Sequence, residues 1–117
     1  MATMGYAETK IPVPSGQDIF FHEALLDEAP GALWLRLRFV APAISKTDLN
    51  PENTMSDLEH LCAHLAVPYV EQHRLTPAVV VISLADRRIP FGARDPDATQ
   101  FFEAYRLENA RCIWEGF

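Results

Sequence analysis

Residues 95–117 read DPDATQFFEAYRLENARCIWEGF, and the fold turns on how the stretch up to Glu108 is taken. A helix is one reading: Asp95 would cap it, Pro96 would take its first position, and Ala98, Phe101, Phe102 and Tyr105 fall at helical spacing. A strand is the other. It puts Phe101, Tyr105 and Leu107 on one face and gives the terminal Arg111–Trp114 segment a neighbour. A tight turn at Asn109-Ala110 would then set Leu107 against Cys112 and Tyr105 against Trp114, an aromatic cross-strand pair. That pairing favours the strand over residues 97–107, with the helix as the competing reading.

Upstream, residues 78–86 (AVVVISLAD) form a nearly continuous apolar, β-branched run, as a central strand covered on both faces requires. Residues 18–27 and 32–41 predict a hairpin. In the second, Leu33, Leu35, Leu37 and Phe39 alternate with Trp34, Arg36 and Arg38. A loop over residues 28–31 would place Phe20, Ala24 and Leu26 against Phe39, Leu35 and Leu33, and Glu23 against Arg36. Between hairpin and central strand, TMSDLEHLCAHLA predicts a helix opened by Thr54 and Asp57 in the manner of a capping box. Its apolar stripe is Leu58, Leu61, Cys62 and Leu65; Asp57, His60 and His64 fall opposite, and Pro68 breaks the pattern. The expected fold class is α+β: an antiparallel sheet of ββαβββ order with one main helix packed on one face. Residues 1–17 read as an extended lead-in and 18–117 as a single domain.

A hydrophobic share of 49% with 22% charged residues describes a folding chain. The net charge of −6 excludes a nucleic-acid partner, which needs surplus Lys and Arg. No apolar run reaches the length of a membrane span, and no signal peptide is visible. The chain is therefore cytoplasmic, or the mature form of an exported protein.

No catalytic or cofactor motif stands out, and no cofactor is expected. The five glycines form no phosphate-binding cluster, and neither cysteine carries a protease signature. Cys62 and Cys112 both point toward the predicted core, as a disulfide from helix to last strand or as two buried thiols. A bridge closing about 50 residues would contribute roughly 4 kcal/mol. His60 and His64, four apart with Asp57 a turn earlier, are weak metal candidates; a solvated face is the plainer account. His22 and the charged loop over residues 87–95 are the places an unrecognised active site could sit. Trp34, Arg36 and Arg38 have the composition of an interaction surface.

Four stretches carry a resemblance: Val13–Gln17 (VPSGQ), Leu61-Cys62, Val81–Gly92 (VISLADRRIPFG) and Cys112–Phe117 (CIWEGF). Together they resemble a family of short, uncharacterised alphaproteobacterial proteins with a domain of unknown function. Members of that family typically carry an export signal. The resemblance implies a periplasmic protein with a Cys62–Cys112 disulfide, and it implies no activity. The expected function is a non-catalytic, exported module that binds an unknown partner protein through its sheet face or an exposed strand edge. A small-ligand or metal module using His60 and His64 is the alternative, and an enzyme near His22 or the 87–95 loop the second.

Overall fold

Alternation and burial place five strands and one long helical segment in the computed structural model, which describes residues 9–29, 31–44 and 51–115. Residues 1–8 of the expected 1–17 lead-in, and residues 45–50 of the connection to the helix, lie outside the described residues. Strands β1 (Phe20–Asp27) and β2 (Trp34–Val40) are followed by helix α1 (Pro51–Leu61), a π-helical turn (Cys62–Ala66) and helix α2 (Val67–His73). Strands β3 (Val79–Ala85), β4 (Gln100–Glu108) and β5 (Arg111–Trp114) complete the chain. The α+β class and the ββαβββ order are as expected, and residues 100–108 are strand rather than helix.

The sheet runs β1-β2-β3-β4-β5. One ladder corrects the expectation of an all-antiparallel sheet: β2 and β3 are parallel, the other three pairs antiparallel. The reason is topological. The helical segment carries the chain back along the sheet before β3 begins, so two neighbouring strands point the same way.

The β4–β5 register is the expected one, Tyr105 opposite Trp114 and Leu107 opposite Cys112. Asn109 and Ala110 both have positive φ (54° and 62°), the geometry of a type I′ hairpin turn. The first hairpin differs. Asp27 pairs with Trp34, not Ala32, so Glu23 meets Arg38 and not Arg36. From Glu23 to Asp27 this slip of two residues preserves which face each side chain occupies, and only the partners change. A β-bulge between Phe21 and Glu23 leaves His22 as the extra residue and sets Phe21, rather than Phe20, opposite Phe39. Their rings meet edge to face at 5.7 Å.

The core lies between the helices and one face of the sheet. Leu35, Leu37 and Phe39 of β2, Val80, Ile82 and Leu84 of β3, and Tyr105 of β4 pack with Leu58, Leu61, Cys62 and Ala66. Helix α1 starts at Pro51, since proline suits a first turn, and not at a Thr54 cap. Pro68 does not end the helix. Its ring would press on the carbonyl of His64. The π turn relieves this by widening the ladder, with the Val67 N–H donating to the Cys62 carbonyl five residues back.

Candidate functional site

On the helix face the core residues of β2 and β3 are covered, whereas the outer face of the same strands carries an open cleft. Pairing carries Trp34, Arg36 and Arg38 of β2, Val81 and Ser83 of β3, and Gln100 and Phe102 of β4 to that outer face. A cavity of about 230 Å³ opens there, walled by Arg36, Arg38, Phe91 and Phe102. Phe91 comes from the loop after β3. The Ala93 N–H donates to the Pro90 carbonyl at 3.0 Å, and Gly92 sits third in this turn with φ of 86°. That value favours glycine, so Gly92 is what lets the loop turn Phe91 over the sheet.

Each arginine is held differently. The Arg36 Nε–H donates to Asp27 Oδ2 at 3.0 Å, and the guanidinium carbon lies 5.1 Å from the ring centroids of both Trp34 and Phe91. Arg38 bonds through Nη1 to Glu23 Oε2 and through Nη2 to the Ile89 carbonyl at 2.7 Å, with Phe91 at 5.5 Å. The two side chains are only 21% and 13% exposed, so each charge is held in a partly dry setting. The rings around them remain open: Phe91 is 53% exposed and Phe102 68%. Asp27 is held below the usual carboxylate range by the Ala29 N–H and by Arg36. The structure thus brings the three sequence candidates together with two phenylalanines and Gly92. Their common position follows from the parallel β2–β3 ladder and the loop turn, which periodicity alone does not reveal.

The other candidates separate. Alternation with Phe20 and Ala24 would set His22 on the core face, but it is half-buried at the bulge and outside the cavity lining. Burial, reinforced by Arg38 and Arg88 against the opposing pull of Glu23, lowers its pKa. The 87–95 loop contributes Phe91 to the cleft, while Arg87 turns to Asp86 at 3.0 Å and Asp95 at 3.7 Å. Asp57 corrects the helical wheel most sharply. It is fully buried, away from the exposed face assigned to it. Its carboxylate accepts from the Ser15 N–H (3.0 Å), the Ser15 hydroxyl (2.5 Å) and the Gln17 amide (2.8 Å). The segment Val13–Gln17 folds over α1, and a buried carboxylate with three donors is a structural anchor. His60 and His64 stack at 4.1 Å without it, and among the described residues no group of three or more His, Cys, Asp or Glu is placed to hold a metal.

Cys62 and Cys112 form a disulfide across 50 residues, joining the start of the π turn to β5. Trp114, set on the core-facing side of the hairpin by its pairing with Tyr105, is nonetheless 55% exposed. It lies on the helix side of an edge strand, and its indole N–H donates to Glu103 at 2.6 Å. Among the described residues no helix is long and apolar enough to cross a membrane.

Searches of the curated proteins and of the solved structures return no match to this chain. A protein-family model does match, over residues 1–117. The chain belongs to that family, a family of unknown function (DUF6497).

Proposed function

We propose that the protein is a non-catalytic binding module of an oxidising compartment such as the periplasm, and that its outer-face cleft receives one side chain of a partner protein. The observation that supports this is the cleft itself. At about 230 Å³ it is smaller than the roughly 300–1,000 Å³ usual for small-molecule sites, and it matches a single anchoring side chain better than a whole metabolite. Its walls pair arginine with exposed aromatic rings, the composition that dominates binding hot spots. The disulfide supports the compartment, since such bonds persist where thiols are not kept reduced.

Random-peptide display on the oxidised protein tests the reading. Selected peptides are expected to lose about tenfold or more in affinity on Phe91→Ala or Phe102→Ala, and nothing on His64→Ala. Selection of peptides indifferent to both cleft substitutions, or of none at all, would refute it.

A further inference from the structure

We infer that the partner segment seated in this cleft is an acidic–apolar step: an aromatic or leucine side chain between Phe91 and Phe102, with an adjacent Asp or Glu carboxylate on the open edge of Arg36. The inference rests on the cleft being a docking site and names what docks there.

A guanidinium carries five N–H donors. Arg38 uses both ends, on Glu23 and on the Ile89 carbonyl. Arg36 uses only Nε, and among the described residues neither of its Nη groups has an acceptor. Asp27 does not extend to them. Its other oxygen, Oδ1, accepts the Ala29 N–H at 2.9 Å, which ties the carboxylate to the turn and leaves Oδ2 on Nε. The guanidinium carbon lies 5.1 Å from the ring centroids of both Trp34 and Phe91, contacts that hold the group by its charge and take up none of its N–H donors. Donors in a fixed fork, partly desolvated and unfilled, suit a carboxylate held by two parallel bonds.

Charge limits the occupant further. The chain carries −6 overall, and Glu23 and Asp27 stand beside the two arginines. A run of acidic residues would meet repulsion from these carboxylates within a screening length of about 8 Å. One carboxylate beside an apolar side chain gains the Arg36 contact without that cost. The exposed rings supply the apolar half of the recognition.

Two peptides decide the matter: acetyl-Gly-Phe-Glu-Gly-amide and its Gln counterpart, titrated into the oxidised protein. The readout is the Arg36 Nε–H resonance together with the backbone amides of Phe91, Gly92 and Phe102. The Glu peptide is expected to bind about tenfold more tightly, and the gap to close with Arg36→Gln. Equal affinities in the wild-type protein overturn the inference and leave the docking reading intact, and this comparison needs no variant to fold. A gap that survives Arg36→Gln overturns the assignment to Arg36. If neither peptide shifts the cleft resonances, the inference fails, and the display selection decides separately whether the cleft docks anything.

Discussion

Leu35, Leu37 and Phe39 of β2 point to the helices while Trp34, Arg36 and Arg38 point away, and the two sets are held by different forces. On the helix side every one of these residues is buried among apolar neighbours, and Cys62–Cys112 ties the helical layer to the last strand. Outside, charge pairs rest on the rings of Trp34 and Phe91, and Phe91 stays more than half exposed beside an equally open Phe102. Buried apolar surface stabilises in proportion to its area, whereas ion pairs near solvent contribute about 0–1 kcal/mol. Stability therefore resides on one face, and the other can carry recognition without endangering the fold.

The largest effect belongs to the disulfide. Replacing Cys62 and Cys112 together with Ser is expected to cost about 4 kcal/mol in urea unfolding, the chain entropy released by opening a 50-residue loop. The native double variant should keep peptide binding at the cleft, because no cleft residue touches the bridge. Loss of binding before unfolding would mean the two faces are coupled. Next come truncations on opposite faces of neighbouring strands. Ile82→Ala, at a fully buried position, should cost about 3 kcal/mol, and Phe102→Ala less than about 1 kcal/mol despite the larger side chain removed. Comparable losses would erase the distinction. Asp57→Ala should cost about 2 kcal/mol by leaving the Ser15 and Gln17 donors unsatisfied, with the cleft again unaffected.

How far these features can be read from the sequence varies by mechanism. The β4–β5 hairpin is legible because two aromatic and two core positions agree on one register across a two-residue turn. From Glu23 onward the β1–β2 faces are legible while their partners are not, since alternation has a period of two and cannot distinguish a register from one slipped by two. Before Glu23 the bulge inverts the faces, which alternation cannot foresee. Asp57 is misplaced by periodicity because a helical wheel treats every carboxylate as solvated. What buries it is Ser15 and Gln17, about 40 residues earlier in the chain, a contact no local pattern encodes. The cleft is half legible. Trp34, Arg36 and Arg38 announce themselves by composition, whereas Phe91 joins them only through the positive φ at Gly92. The PFG triplet was the available signal for that turn.

A smaller effect sharpens the reading of the last hairpin, whose turn places a residue with a Cβ at φ of 62°. Ala110→Gly removes that strain, and urea unfolding should show a gain of about 0.5 kcal/mol. A loss instead would mean that backbone freedom gained by the unfolded chain outweighs the relief.

The smallest effect concerns the border between the faces, where His22 occupies the β-bulge. Its native pKa lies below the ordinary 6.5 because burial disfavours the imidazolium and Arg38 and Arg88 repel it, more than Glu23 attracts it. The unfolded chain therefore takes up this proton first as pH falls. Stability associated with His22 is complete above the unfolded value and is lost as pH drops through the lowered native one. Urea unfolding at about pH 7.5 and about pH 5 should accordingly show a smaller drop in His22→Gln than in the wild type. Equal drops in the two proteins would remove His22 from the acid response. They would also show that the charges gathered around Arg38 do not reach past the strand to the bulge.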